Sequence, residues 1–303
     1  MRELVEAFDI LMQRLRDEED VPSGEWDSLS ALADERFSTF RDLWDRMSPS
    51  RRLELLDALY DEAEENAHLD FTPIWRLALG DDAPKVRIAA ITYSADEEGD
   101  WLIDPLLRLA AIDPDASVRA AAAESLGRYA YLAEVGDLPG GRAAQIQRAL
   151  LALVNRSAEP LAVRANALAS VGYFSTPEVA DAIRSAHADE QLRESAIRAM
   201  GRNCDPTWTD TLLEDSRSRG AALRAEAARA IGEIEDSRGI PRLLELLEDP
   251  AAGVRLAAIW ALGEIGGEEA QEALIYCLED PQDAIREAAE AALTELAGRD
   301  SIL

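Results

Sequence analysis

The chain has 303 residues, and its formal net charge of -29 at pH 7 excludes several classes of partner. A field this negative repels nucleic-acid phosphates and anionic lipid headgroups, so neither nucleic acid nor a membrane surface is expected to bind. Alanine and leucine dominate the 48% of hydrophobic residues, and aromatic residues make up only 6%. This composition favours stacked helices over sheets, and an all-α protein is predicted.

The first 69 residues are predicted to be helical. Helices are predicted over about 2–19, 25–47 and 49–67. The last begins at Ser48-Pro49, which supplies a cap and a proline in the first helical position. The opening residues are amphipathic and charged, so no signal peptide is predicted. No segment approaches the roughly 20 apolar residues of a membrane-spanning helix, and we therefore expect a cytoplasmic protein.

A motif repeats through the rest of the chain, in which an apolar residue is followed by an arginine. The seven arginines are Arg87, Arg119, Arg164, Arg193, Arg224, Arg255 and Arg286. An alanine lies three residues after each of them, and a large apolar residue lies seven residues after all except Arg87, where Ser94 takes its place. Counted from the arginine, positions -1, +3 and +7 form one stripe along an α-helix. The small alanine at position +3 lets a neighbouring helix approach closely.

Each repeat is predicted to be a helical hairpin. Apolar stretches at 105–112, 146–154, 241–249 and 270–280 predict a first helix before the arginine-containing second helix. Four aspartates precede their arginines by six residues, and proline follows three of them; the aspartates are Asp81, Asp113, Asp249 and Asp280. This order predicts an N-cap followed by proline at the first helical position.

These residues resemble HEAT-like repeats of the phycobilisome-lyase type, whose second helix reads D-P-x-x-x-V-R-x-x-A-x-x-A-L-G. Residues 249–266 match that pattern best, and the resemblance covers about 70–303. It implies a right-handed α-solenoid of about seven to eight HEAT-like hairpins, with the second helices along its concave face. Residues 1–69 are then an N-terminal helical cap with a degenerate first repeat, continuous with the seven repeats of 70–303.

The resemblance also implies a ladder of the repeated aspartates and arginines between neighbouring units. The central units carry Ala158, His187 and Ser218 where aspartate is expected, so the ladder is predicted to be weaker there. An insertion between Arg119 and Arg164 predicts a loop at 134–144. Whether this loop is a simple length variation or contacts a partner stays open.

No catalytic centre, cofactor site or metal site is predicted. The only histidines are His68 and His187, and neither adjoins a glutamate, so the His-Glu pairs of the HEAT-repeat di-iron hydroxylases that modify translation factors are lacking. No pair of histidines or cysteines has ligand spacing, and no nucleotide-binding loop or nucleophile elbow occurs. Cys204 and Cys277 are predicted to be two small buried residues without a disulfide.

A partner-binding surface is predicted at offsets +5 and +9 from the repeated arginines, because these positions point away from the core stripe. Arginine, tyrosine and tryptophan there have the composition of an interface hot spot. The predicted partner-binding residues at these offsets are Arg128, Tyr173, Arg198, Arg202, Arg229, Trp260 and Glu264, and Tyr131, one turn beyond Arg128, is added to them. Two alternatives stay open: Trp260 could instead fill a gap between repeats, and the arginines could simply pair with Glu194, Glu226 or Glu233. The remaining tryptophans are predicted to pack inside; these are Trp26, Trp44, Trp75, Trp101 and Trp208.

The predicted function is that of a non-catalytic, monomeric scaffold that binds a partner protein or peptide on its concave face. The name of the family implies one alternative, a lyase or chaperone-like accessory for a tetrapyrrole-carrying protein. Incubation with bilin or haem separates the two hypotheses, because a scaffold should cause no change in the absorbance spectrum.

Overall fold

The protein is all-α, as predicted. A computed structural model describes residues 2–17, 19, 21–22, 24–95, 99–138 and 141–300. These residues form seventeen α-helices and three short 3-10 helices, and none of them lies in a β-strand. The chain divides into two compact units, Met1–Ser125 and Leu126–Leu303.

The helices of the first unit alternate with short turns. They are α1 (Arg2–Arg16), α2 (Asp34–Trp44), α3 (Pro49–Glu65), α4 (Thr72–Ala78), α5 (Pro84–Tyr93) and α6 (Ile103–Ile112), with a 3-10 helix at Trp26–Leu29. Helix α7 (Ala116–Glu134) contains the division between the units.

The second unit consists of helical hairpins in sequence. Its helices are α8 (Arg142–Asn155), α9 (Leu161–Val171), α10 (Pro177–His187), α11 (Arg193–Asn203), α12 (Thr209–Asp215), α13 (Ala221–Ile234), α14 (Ile240–Leu246), α15 (Ala252–Ile265), α16 (Glu268–Cys277) and α17 (Asp283–Asp300), with 3-10 helices at Pro206–Trp208 and Ser237–Gly239. The odd-numbered helices carry the repeated arginines. The predicted loop at 134–144 separates α7 from α8, and its residues 139 and 140 lie outside the described ranges.

The predicted helix at 25–47 is wrong, because the chain breaks there. Ala31 and Asp34 both have a φ of 49°, in the left-handed region that a continuous right-handed helix of L-residues cannot pass through. The 3-10 helix at Trp26–Leu29 is therefore separated from α2. The prediction for α3 is confirmed, since the Ser48 hydroxyl accepts a hydrogen bond from the Arg51 amide at 3.2 Å.

The repeated aspartates do not cap the second helices, so that prediction is also wrong. Each helix starts three residues after its aspartate, and the proline that follows Asp113, Asp249 and Asp280 lies in the turn, not at the first helical position. The aspartate side chain accepts a hydrogen bond from the amide two residues on, as in Asp113 to Asp115 and Asp249 to Ala251, both at 2.9 Å. This geometry is an Asx turn.

The repeated arginines fix the same turns from the other side. Arg87, Arg119 and Arg255 each donate to the backbone carbonyl of the aspartate six residues earlier, at 2.7 Å. Each arginine therefore ties the turn to the helix that follows it by a hydrogen bond to a turn carbonyl.

Ladder pairs occur within each unit. In the first unit, Arg87 donates to both oxygens of Asp113, at 2.9 and 2.7 Å. In the second, Arg224 binds Asp249 in the same bidentate way, at 2.7 and 2.8 Å. These distances are those of charge-assisted hydrogen bonds.

The prediction of a weaker ladder at Ser218 is wrong. Asp215 supplies the carboxylate that the missing aspartate would have supplied. Its buried carboxylate accepts hydrogen bonds from Arg193 at 3.0 and 2.5 Å and lies 2.7 Å from Nε2 of His187. Burial alone would raise the pKa of Asp215, but the bonds to His187 and Arg193 lower it below its ordinary value.

Successive second helices of the second unit meet at a glycine and a small residue. A Cβ added at Gly172, Gly201, Gly232 or Gly263 would lie 2.7 to 2.9 Å from an atom of Ala199, Ala230, Ala261 or Ala292, respectively. The alanine three residues after each arginine was predicted to allow this close approach. In the best-matching repeat this residue, Ala258, is fully buried, but the close contact is made by Gly232 and Ala261. The backbones therefore come closest eight residues after one arginine and six residues after the next.

Tryptophan side chains pack inside both units, as predicted for four of the five. Trp26, Trp44 and Trp75 are buried in the first unit and Trp208 in the second. Trp101 is only partly buried, and the Arg76 guanidinium lies 4.6 Å from the centre of its ring.

Candidate functional site

A groove of about 400 Å³ lies where the carboxyl-terminal ends of the second helices of unit two come together. We call it the second-helix groove. Its walls include Tyr131 of α7, Tyr173 after α9, Arg202 of α11, Glu233 of α13, and Trp260 and Glu264 of α15. One short segment at or just after the end of each of five second helices, α7, α9, α11, α13 and α15, thus contributes to a single surface.

Aromatic rings cover one part of the groove. The rings of Tyr131 and Tyr173 lie edge to face, with centroids 5.7 Å apart. The Arg202 guanidinium lies 5.1 Å from the centre of the Tyr173 ring, a cation-π distance. Tyr131 is 51% exposed and Trp260 is 40% exposed, so both present large apolar area to solvent. Grouped exposed aromatic side chains are typical of binding surfaces.

Carboxylates cover the other part of the second-helix groove. Glu134, Glu233, Glu235 and Glu264 all line the groove. Glu134 accepts a hydrogen bond from the Ser175 hydroxyl at 2.7 Å, and Glu264 pairs with Arg299 at 2.7 Å. Burial raises the pKa of Glu233 to about 7; Glu226 adds to this effect, whereas Arg202, Arg198 and Arg229 oppose it.

Five of the eight predicted residues line the groove, namely Tyr131, Tyr173, Arg202, Trp260 and Glu264. The other three point to different partners. Arg198 and Arg229 both donate to the buried carboxylate of Glu226, at 2.7 and 3.4 Å, as one alternative had it. The Arg128 guanidinium lies 6.0 Å from the centre of the adjacent Tyr129 ring.

Trp260 was predicted either to bind a partner or to fill a gap between repeats, and its position has features of both. A Cβ at Gly232 would lie 3.0 Å from its ring, so one edge of the indole packs across the junction of α13 and α15. The rest of the ring faces the groove. Ala258, two residues earlier, is fully buried, which agrees with the predicted rotation of the helix.

Cys204 was predicted to be buried, and this is wrong. The residue has a φ of 52° at the end of α11, and this left-handed turn brings it to the surface of the groove. Its sulfur lies 3.4 Å from the carbonyl oxygen of Gly201. Partial burial of the sulfur, together with nearby glutamates, raises the pKa of the thiol. Cys277 is buried, as predicted.

Asn203 positions one wall, although the sequence pattern gave no signal for it. Its buried side-chain amide donates to the carbonyls of Gly172 and Phe174, both at 3.0 Å, and accepts from the indole of Trp208 at 2.9 Å. These bonds fix the end of α11 against the turn that carries Tyr173. The role of Asn203 is therefore to hold the groove in shape.

The partly buried carboxylate of Glu233 makes stability depend on pH. Its pKa rises from an ordinary value of 4.5 to about 7 in the folded chain, so the folded state holds the proton more tightly. The stabilisation is present below pH 4.5 and is lost as the pH rises through about 7. Glu233→Gln is therefore expected to stabilise the protein at pH 8 by about 1 to 2 kcal/mol after solvent screening, and hardly at all at pH 5.

Thermal melting at the two pH values checks this, with Glu272→Gln as a control on the exposed side of α16. An equal gain for Glu233→Gln at both pH values would mean that glutamine simply packs better, and would contradict the role of ionisation.

Neither a metal-binding cluster nor a membrane-spanning helix occurs in the described part of the chain. No group of three or more histidine, cysteine, aspartate or glutamate side chains there could hold a metal ion. None of the helices in that part is both long enough and apolar enough to cross a membrane.

Comparison with known proteins identifies the repeats. Residues 209–294 match the family model of HEAT repeats, and residues 102–132 match that of a single HEAT repeat. HEAT repeats are therefore detected in these two stretches of the chain. No curated protein matches it.

Solved structures share its fold at low identity. A structure of Kap95p with RanGDP has a TM-score of 0.52 and 15% identity, over 96% of this chain and 46% of that chain. A Kap95:Nup1 complex has a TM-score of 0.51 and 14% identity, over 97% and 46%. This chain thus spans less than half of each Kap95 chain. Human deoxyhypusine hydroxylase, at 16% identity over 82% of this chain and 97% of that chain, has a TM-score of only 0.34, which supports no argument. The likeness to Kap95 shows the fold class alone, a HEAT or armadillo-like α-solenoid.

Proposed function

We propose that this protein is a non-catalytic scaffold that binds a partner protein or peptide on its concave face, through the second-helix groove. One observation carries the proposal: the second helices of the hairpins bring Tyr131, Tyr173 and Trp260 together beside Arg202, and two of the three rings are exposed. Aromatic residues and arginine supply most of the binding energy at protein interfaces.

Two further observations support this proposal. The fold is that of Kap95p, whose solved structures include complexes with RanGDP and with Nup1. The best repeat, at 249–266, follows the phycobilisome-lyase pattern, and it contributes Trp260 and Glu264 to the groove. We assign the repeats to that type as part of the proposal.

Selection of a random peptide library on the immobilised protein tests the groove. Peptides that bind the wild type are expected to lose affinity for a Tyr131→Ala/Trp260→Ala variant by at least about 2 kcal/mol, or roughly 30-fold in Kd. Fluorescence anisotropy measures the loss. Both rings are partly exposed, so the variant should melt within a few degrees of the wild type.

Tyr276→Ala provides the matched control. Tyr276 is 73% exposed, but it lies on the first helix α16, outside the groove. Its removal should leave binding unchanged. If the selected peptides bind the groove variant as tightly as the wild type, or respond equally to Tyr276→Ala, the groove is not the binding site.

A further inference from the structure

The second-helix groove contains more negative than positive charge. Four glutamates line it, and the only basic side chain among its lining residues is Arg202. Ser175 and Arg299 engage Glu134 and Glu264, as described above. For Glu233, by contrast, neither a hydrogen bond nor an ion pair of the carboxylate occurs with any residue in the described ranges. A partly buried carboxylate without a close partner favours the approach of a cation.

The aromatic side of the groove favours the same kind of ligand. The faces of tyrosine and tryptophan rings carry negative charge density, and they attract guanidinium and ammonium groups. The protein itself uses Tyr173 in this way, with Arg202 over its ring. The exposed rings of Tyr131 and Trp260 offer two more such faces at the edge of the same cavity.

We propose that the second-helix groove receives an arginine or lysine side chain from a basic segment of the partner, held between the rings of Tyr131 and Trp260 and the carboxylate of Glu233. This proposal rests on the proposed function, and it defines the chemistry of the partner. An acidic segment would meet the four glutamates and a net charge of -29. An apolar segment would remove water from Glu233 without replacing its solvation, which is costly.

A bound cation would favour the ionised form of Glu233. The titratable and charged groups that act on this carboxylate include Arg202 and Arg198 from α11 and Glu226 and Arg229 from α13. Tyr173 after α9 and Cys204 after α11 also interact with it electrostatically. All of these groups are already present in the free protein, so the incoming charge is the new influence. Binding of a basic segment should therefore strengthen between pH 6 and pH 8, as the proton leaves Glu233.

Peptides selected on the wild type and dependent on Tyr131 and Trp260 provide the test. We expect them to contain a central arginine or lysine, and we expect replacement of the arginine by citrulline, its neutral isostere, to weaken binding about tenfold or more. Glu233→Gln should cause a similar loss at pH 8 and a much smaller one at pH 6. The citrulline peptide should not distinguish Glu233→Gln from the wild type.

Controls separate a specific site from general attraction to an acidic protein. Glu272→Gln removes one exposed negative charge from α16 and should not change the affinity. Cys204 lines the groove, so a bound peptide should protect its thiol from alkylation. Equal losses for Glu233→Gln and Glu272→Gln would overturn the proposal.

The two proposals fail in different ways. Groove-dependent peptides that lack arginine and lysine, or that bind equally well with citrulline, would overturn the cationic ligand and leave the scaffold function standing. The absence of any groove-dependent peptide would overturn both proposals.

Discussion

Arg87→Met is expected to lower the free energy of unfolding by about 3 to 5 kcal/mol, the range for breaking a buried ion pair. The Arg87 and Asp113 side chains are only 8% and 4% exposed, so the substitution leaves a buried carboxylate without its cation. It also removes the donor to the Asp81 and Asp82 carbonyls. Urea denaturation of the full chain measures the change.

Two variants sharpen this experiment. Asp113→Asn in the Arg87→Met background removes the buried charge but keeps the oxygen that accepts from the Asp115 amide, so it should recover part of the loss. Asp181→Asn breaks an exposed pair with Arg184, whose side chains are 79% and 60% exposed, and should change stability by less than about 1 kcal/mol. Similar losses for Arg87→Met and Asp181→Asn would show that burial of the ladder pair contributes nothing.

Gly232→Ala is expected to destabilise the protein by about 1 to 3 kcal/mol, although alanine is the better helix former. Its Cβ would lie 2.7 Å from the Cα and 2.8 Å from the Cβ of Ala261, so α13 and α15 would have to move apart. Trp260 would be displaced too, because its ring lies 3.0 Å from the same point. Thermal melting should show the loss.

Gly253→Ala is the matched control for this substitution. Gly253 lies in the first turn of α15, and a Cβ there would meet nothing within 4 Å. Its replacement should therefore stabilise the protein by about 0.5 to 1 kcal/mol, through helix propensity alone. Two glycine-to-alanine changes with opposite signs would establish the close approach, whereas a gain at both positions would contradict it.

The period of the sequence predicted the hairpins, because one helical stripe recurs in every repeat. It did not predict the function of Asp113 or Asp249. An aspartate followed by proline can accept a hydrogen bond either as an N-cap or in an Asx turn, and the two differ only in backbone geometry. Nor did it predict the ion pair of Asp215 with Arg193. Asp215 lies at the end of α12, the first helix of its hairpin, and it reaches Arg193 only through tertiary packing.

The lining of the candidate site was predicted only where it depends on regular helix geometry. Trp260 and Glu264, at the predicted offsets, and Tyr131, one turn beyond Arg128, all line the second-helix groove, because their helices continue regularly to those positions. Cys204 comes after the last regular turn of α11, where a single left-handed residue decides its direction. Arg198 and Arg229 pair with Glu226 instead, which is one of the alternatives that the sequence left open. Glu226 lies three residues before Arg229 on α13, but it meets Arg198 of α11 only through tertiary packing.

The glycine-alanine contacts between second helices have a consequence for variation in length. Gly232 faces Ala261 and Gly263 faces Ala292, so both junctions have the same surfaces at the same phase of the helix. A deletion that joins Ile231 directly to Gly263 removes 31 residues, one whole hairpin, and places Gly263 where Gly232 had been. The shortened chain would still present a glycine to Ala292. A hairpin could therefore be lost or duplicated by joining two second helices at their glycines, because the surfaces on either side of the junction stay complementary. The number of hairpins in the stack could then change one at a time.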